Sequence, residues 1–414
     1  MHDCYLLSLQ SYSYSMTFRL LFLVLFGFGV CNAFAQTYVP GESYFDGNGY
    51  VEYLAGNLPI IITAPHGGLL APASIPDRDC AGCSVVNDFN TQELARAFAQ
   101  AVHARTGCWP HVIFNKLHRR KLDANRDIAE AADGNPAAES AWYAFHAFVE
   151  TAKNQLLPQF GKGLYIDLHG HGHAIQRLEL GYLLSKAELA LQDATLNTPF
   201  YVDQSSIRHL AGNNVQSLSH AELLHGSQSL GELLAQRGYP ATPSESDPFP
   251  DADEDYFNGG YNTARHSSYQ NGALDGLQIE CNRNGIRDSM HNVLRFADSL
   301  SVTVMDYLGR HFFGSADAFL CGMSSTPPEV SLPDQLLVFP QPYCYQFTVK
   351  KSRQAPPGNW TLGVYDFFGN MLGIHDLDDD TELTLNPSPP GHVWLVLWVD
   401  GEMMGMRSIF RFCR

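Results

Sequence analysis

The sequence predicts an α/β protein: a mixed, mostly parallel sheet with helices on both faces, followed by a small C-terminal β-sandwich. Three observations predict it. From about Tyr44 to Phe319, short apolar runs alternate with segments whose apolar residues recur at helical spacing. At Cys321–Pro333 the composition turns to Ser and Pro without periodicity, which reads as a linker. Beyond it, about six short apolar runs separated by turn residues fill the rest of the chain, as in a small sandwich.

Ahead of this pattern, Arg19 precedes an apolar run from Leu20 to Val30, and Ala33-Phe34-Ala35 forms a small-residue cleavage site before Gln36. Residues 1–35 therefore read as an export signal, with Met16 as the expected initiator, and the run is short for a membrane span. The expected domains are a catalytic unit over 36–320, a linker over 321–335 and the sandwich over 336–414. Within the first, Pro59–Thr63, His111–Phe114, Gly163–Leu168 and Leu277–Cys281 read as strands. Thr91–Arg105 places Leu94, Ala97, Phe98, Ala101 and Val102 on one helical face. Ala138–Leu156, Leu189–Leu196, Ser229–Arg237 and the amphipathic His291–Tyr307 also read as helices. The expected sandwich strands are Leu336–Phe339, Tyr345–Val349, Trp360–Tyr365, Glu382–Leu385, Val393–Val399 and Ile409–Phe412.

A formal net charge of −17 argues against nucleic acid or an anionic membrane surface as partner. The acidic stretches Asp247–Asp255 and Asp376–Asp380 read as solvated loops. Loss of the signal removes Cys4 and Cys31 and leaves Cys80, Cys83, Cys108, Cys281, Cys321, Cys344 and Cys413. An odd set in an exported chain implies disulfides with at least one free thiol. Cys80-x-x-Cys83 has no second such pair to complete a four-cysteine metal site, so it reads as a loop disulfide or buried thiols. Cys281 alternates with Glu280 along its strand and reads as core.

The chemistry gathers at three strand ends: Pro65-His66-Gly67-Gly68, Asp167-Leu168-His169 and Gln278-Ile279-Glu280. In an open α/β sheet these ends line the crevice where ligands bind. A hydrolytic zinc site needs three protein ligands, typically two His and a carboxylate. His66 and His169 supply the imidazoles. Leu69 stands where a His-x-x-Glu motif would place the carboxylate, which leaves Asp88 before the helix, or Glu93 in its first turn. His171 and His173 alternate beyond His169 as further ligands or substrate contacts, and Asp167 reads as an outer contact of the site. Glu280, charged at a buried strand end, reads as a general base or as the partner of Arg283 or Arg287. Arg126 beside Asn125 offers paired hydrogen bonds to a substrate carboxylate, or else bridges Asp123 and Asp127.

The ordered set Pro65-His66-Gly67-Gly68, Asp88, Asp123-Ala124-Asn125-Arg126, Asp167-Leu168-His169, Gly259-Gly260-Tyr261-Asn262-Thr263 with Arg265-His266, and Gln278-Ile279-Glu280 with Arg283 resembles the N-formylglutamate amidohydrolase family over roughly residues 55–310. The resemblance implies a phosphorylase/zinc-carboxypeptidase-like fold and one zinc per chain on His66, Asp88 and His169. It further implies Glu280 as base, Arg119 polarising the scissile carbonyl, Asn125 and Arg126 on the substrate carboxylate, and Arg265 and His266 as substrate contacts. Hydrolysis of an amide bond near a free carboxylate follows, in N-formylglutamate, another N-acyl amino acid or a short peptide. Gly170 departs from the Ser that commonly follows the third ligand, and His171 and His173 are additions. A metallopeptidase acting on peptides or cell-wall fragments and a non-catalytic exported binding protein are the alternatives. The C-terminal part resembles the sorting domain of type IX secretion in Bacteroidetes. It does so through Val338-Phe339-Pro340-Gln341-Pro342, Gly363–Asn370, Val393–Val396 and Ser408–Phe410, with Gln341 where Asn is usual. That resemblance implies the secretion machinery as partner and a secreted or cell-surface location; a carbohydrate-binding or other accessory module is the alternative.

Overall fold

The structure, a computed structural model, describes residues 36–80, 82–315, 319 and 321, and beyond these 358–359 and the seven strands given below. The expected signal (1–35), most of the linker, Pro340-Gln341-Pro342, Cys344 and Cys413 lie outside the described residues.

The apolar runs assemble one eight-stranded sheet from β1 (Ser43–Phe45), β2 (Val51–Leu54), β3 (Ile60–Ala64), β4 (His111–Asn115), β5 (Gly163–Gly170), β6 (Leu178–Gly181), β7 (Ala241–Thr242) and β8 (Leu274–Cys281), in the order β1-β2-β4-β3-β5-β8-β6-β7. β4, β3, β5 and β8 are parallel, and β2 and β6 flank them antiparallel. The main helices are α1 (Thr91–Thr106), α2 (Pro136–Phe160), α3 (Tyr261–His266) and α4 (Met290–Tyr307). From β3 the chain crosses through α1 to β4 on one side; from β4 it returns through α2 to β5 on the other. The sheet order therefore reverses between β3 and β5, and the crevice beyond their carboxyl ends is a topological switch point.

Strand alternation sorts the core into two layers. Ile60 and Ile62, Leu164, Ile166 and Leu168, and Leu277, Ile279 and Cys281 pack with Leu94, Phe98 and Val102 of α1 and with Phe296, Leu300 and Val304 of α4. Ile61, Tyr165 and Leu274, on the opposite face, pack with Trp142, Phe145, Val149 and Leu156 of α2. Helices thus cover both faces, as expected.

Several boundaries move for local reasons. α2 outruns its apolar periodicity because the Asn135 side chain accepts from the N–H groups of Ala137 and Ala138, Pro136 opens the first turn, and Gly161 closes the helix at φ 73°. The expected helix Leu189–Leu196 is two short helices, Lys186–Leu189 and Asp193–Leu196, the first held by a reciprocal Ser185–Glu188 cap. β2 and β6 escape the sequence pattern because each is four residues long with a Glu among apolar neighbours.

Cys80 pairs with Cys83, and Cys108 pairs with Cys321, closing 213 residues of chain; Cys281 is a free, buried thiol. Farther on, β9 (Leu336–Phe339), β10 (Phe347–Lys351) and β13 (Glu382–Leu385) form one antiparallel sheet in the order β13-β10-β9. β11 (Trp360–Asp366), β12 (Met371–Leu377), β14 (Val393–Val399) and β15 (Glu402–Ile409) form another in the order β12-β11-β14-β15. The apolar pattern does not predict β12. The last strand pairs with β14 over Glu402–Ile409 rather than starting at Ile409. No helix among the described residues is long and apolar enough to cross a membrane.

Candidate metal centre

His66 stands two residues beyond β3, while His169 and Glu280 are register partners on β5 and β8. Alternation sends Leu168 and Ile279 into the core beside α1 and leaves Asp167, His169, Gln278 and Glu280 on the other face. Asp88 is pinned at the entrance to α1: its N–H donates to the His66 carbonyl (3.1 Å), and its carbonyl accepts from the Thr91 hydroxyl (2.8 Å).

These placements converge three ligand atoms. Asp88 Oδ2 lies 3.3 Å from His66 Nδ1 and 3.2 Å from His169 Nδ1, and the two Nδ1 atoms are 3.1 Å apart. Glu93 does not join this group; the carboxylate that meets the imidazoles is Asp88. Each outer ring nitrogen has its own carboxylate: His66 Nε2 donates to Asp123 Oδ1 (2.6 Å) and His169 Nε2 to Asp167 Oδ2 (2.8 Å). Those bonds hold the proton on each Nε2 and leave both Nδ1 atoms facing inward, where a metal ion would take the place of any proton on them. Asp123 is held in turn by Arg119 Nε (2.9 Å) and faces Arg78 (3.7 Å), and Asp167 accepts from the Thr63 hydroxyl (2.6 Å).

The local field is negative. Burial raises the Asp88, Asp123 and Asp167 carboxyls, but the neighbouring imidazoles outweigh it and hold all three below the usual carboxylate range. Burial opposes a charge on His169, yet Asp167, Asp88 and Glu280 hold its pKa well above the ordinary imidazole value. Glu280 is pushed up to about 8, first by burial and further by Asp88 and Glu179, against the opposing pull of His169 and Arg119. Two inward imidazole nitrogens and a carboxylate, each imidazole backed by a carboxylate, are the N₂O donor set that zinc takes in hydrolytic sites. The donor set fits the ion.

No protein-family profile matches the chain, and no curated protein does. Among solved structures it is similar to the N-formylglutamate amidohydrolase from Ralstonia eutropha JMP134. The identity is 14% and the TM-score 0.38, over 60% of this chain and 92% of that one. That neighbour is an amidohydrolase. A likeness this loose leaves the reaction to be read from the site's own chemistry.

The remaining expected residues fall into two groups. Arg119 and Asn125 reach the cluster: Arg119 Nη1 is 3.6 Å from Asp88 Oδ1, and the Asn125 amide nitrogen is 3.3 Å from His169 Nε2, with its Oδ1 accepting from Asn262 N–H (2.8 Å). Arg126, Arg265 and His266 have other partners. Arg126 bonds Glu130 and the Asn125 carbonyl; Arg265 bonds the Tyr261 hydroxyl and lies over the Trp142 ring. His266 is buried against His146 (2.8 Å) and Glu150 (3.3 Å). Glu280 accepts from Gln278 Nε2 (2.8 Å), and neither Arg283 nor Arg287 pairs with it; Arg287 donates to the carbonyls of Cys281, Phe89 and His171. Gly68 and Gly170 serve close approach. A Cβ at Gly68 would collide with the Lys116 backbone, and one at Gly170 with the Arg287 guanidinium.

Three residues escape the sequence pattern. Asp123 emerges as the His66 partner, buried Arg78 as its counter-charge, and Glu179 as the register partner of Glu280 on β6. A Glu inside the apolar run Leu178-Glu179-Leu180 is the available signal for the last. His171, His173 and Glu179 form a second N₂O group, but hydrogen bonds within the protein already engage it. His173 Nδ1 donates to Glu179 Oε1 (2.7 Å), His171 Nε2 to the Arg177 carbonyl (2.8 Å), and His171 Nδ1 accepts from His173 N–H (3.1 Å).

Proposed function

We propose that the protein is an exported, zinc-dependent amidohydrolase that cleaves an amide bond next to a free carboxylate in an N-acyl amino acid. One observation carries this reading: His66, His169 and Asp88 turn three ligand atoms to one point while Asp123 and Asp167 hold the outer imidazole nitrogens. When bound there, zinc supplies a Lewis acid and a water acidic enough to lose a proton near neutral pH. With the ion's positive charge beside it, Glu280 would be ionised, able to take up that proton and give it to the leaving amine. Gln278 Nε2 donates to Glu280 Oε1 (2.8 Å) and so orients that carboxylate. Arg119, held by Asp123 beside Asp88, presents a cation to the oxygen that gains charge in the transition state. Asn125, beside His169, takes the substrate carboxylate together with Arg126, which exchanges Glu130 for it, while Arg265 and His266 keep their partners Tyr261 and His146.

Export through residues 1–35, and sorting through 336–414 to the cell surface or medium, belong to the same proposal. The two disulfides support an oxidising compartment.

Metal analysis of the zinc-reconstituted full chain tests the site. The expected result is one zinc per chain, removable by chelator and lost in His66→Ala, Asp88→Ala and His169→Ala. Glu280→Gln is expected to keep the zinc while N-acyl amino acid hydrolysis disappears. Zinc retained without the two imidazoles, or turnover retained in Glu280→Gln, would refute the assignment. Cleavage of short peptides with no N-acyl amino acid turned over would move the reaction to the metallopeptidase class.

A further inference from the structure

Exposed apolar side chains stand on the loops that carry the proposed site. His66 and His169 have almost no exposed side-chain surface, whereas Asp88 (8%) and Arg119 (12%) retain some, so the cluster meets solvent on the side of Asp88 and Arg119. Arg119 Nη1 also donates to the Val86 carbonyl (3.5 Å), and large apolar side chains stand beside the ligands on both loops. Val86 is 72% and Phe89 53% exposed on the loop carrying Asp88; Leu69 is 77% exposed on the loop carrying His66. The two loops are tied by Asn87 Nδ2 donating to the Gly68 carbonyl and by Asp88 N–H donating to the His66 carbonyl.

Contacts continue the rim around the site. The Arg283 guanidinium lies over the Phe89 ring (5.6 Å), Asn284 N–H donates to Gln176, and Gln176 donates to the His173 carbonyl. The His173 ring stacks on Phe257 at 4.6 Å, and Phe257 N–H donates to Glu179, the neighbour of Glu280. Phe257 is itself 44% exposed. Leu69, Val86 and Phe89 thus stand on the loops that carry His66 and Asp88, and Arg283, Asn284, Gln176 and His173 connect Phe89 to Phe257 on the side of Glu179. Apolar surface of this kind, edged by polar groups at the mouth of a polar site, is what a ligand covers.

We infer that the substrate carries a bulky apolar group flanking the scissile amide, as a fatty or aryl acyl chain or an apolar amino-acid side chain, which packs on Leu69, Val86, Phe89 and Phe257. The inference rests on the amidohydrolase reading and narrows its substrate. A small acidic compound such as N-formylglutamate leaves this border in water, whereas one well-packed apolar group changes selectivity by roughly ten- to two-hundredfold.

A two-by-two panel tests it on the zinc-loaded full chain: N-formyl-glutamate, N-formyl-phenylalanine, N-octanoyl-glutamate and N-octanoyl-phenylalanine, each measured for turnover and for binding by calorimetry. At least one apolar compound should exceed N-formyl-glutamate in kcat/KM by about tenfold or more. Phe89→Ala and Val86→Ser should erase most of that advantage while changing N-formyl-glutamate turnover less than about twofold. Preferential turnover of N-formyl-glutamate overturns this inference and leaves the amidohydrolase reading standing. With no turnover at all, tighter binding of the apolar compounds that is lost in Phe89→Ala sustains the inference while the reaction reading fails. Equal or weaker binding overturns it.

Discussion

At the scale of single residues, the site depends on carboxylates that never meet the metal position. Asp123 and Asp167 each hold the outer nitrogen of one imidazole, and each is engaged on its other oxygen by Arg119 or Thr63. Asp123→Asn and Asp167→Asn keep the shape but remove the charge that makes each imidazole a stronger donor. Each is expected to weaken zinc affinity about 10- to 100-fold, read by competition with a chromophoric chelator. Unchanged affinity would reduce the two aspartates to packing. Asp123 is hard to find in the sequence for a physical reason. Arg119 and Arg126 offer it ordinary ion pairs at short sequence separation, and the first of these forms, whereas the imidazole it holds lies 57 residues upstream. Asp88 is accessible because a helix start fixes where its side chain begins. Arg126 is read from its place beside Asn125, and Arg265 and His266 by resemblance; their partners here are Glu130, Tyr261 and His146.

At the scale of elements, strand alternation carries most of the predictive power. A period of two is enough to place Cys281 in the core and Glu280 on the opposite face. Elements long enough to repeat their pattern, such as α1 and α4, are legible to within a residue or two at each end. Four-residue strands such as β2 and β6 are not, because their burial comes from neighbours across the sheet. The start of β4 has a measurable consequence. His111 is buried, its Nδ1 takes the Tyr53 hydroxyl (2.8 Å) and the Gly56 N–H (3.1 Å), and burial pushes its pKa down to about 3. The ordinary value is near 6.5. Between those limits the unfolded chain binds a proton that the folded chain refuses. This contribution to stability is therefore complete above about pH 6.5 and falls as pH drops toward 3, by at most about 1.4 kcal/mol per pH unit. Denaturant titrations from pH 7 to 4 should show that acid slope, and His111→Asn should make it shallower by about one proton. An unchanged slope would place the acid sensitivity elsewhere.

At the scale of the whole molecule, the reversal of sheet order between β3 and β5 puts His66 and His169 side by side, and the β5–β8 register adds Glu280. The α/β architecture and its crevice are legible in the sequence because they follow from element order. The closing of the body is not, since no spacing rule tells which cysteine reaches across 213 residues. By the chain-entropy account a bridge over that span restricts the unfolded state by about 5 kcal/mol. Reduction, or Cys108→Ser with Cys321→Ser, should lower the denaturant midpoint accordingly; no change would mean that the body is closed by packing alone. Phe319 packs in the core just before the bridge, and Cys321 N–H donates to the Thr106 carbonyl at the end of α1. The bridge is thus a staple at the last turn of the body. A cut in the chain anywhere past Cys321 leaves that staple closed, so the crevice keeps its clasp whatever becomes of the sequence beyond it.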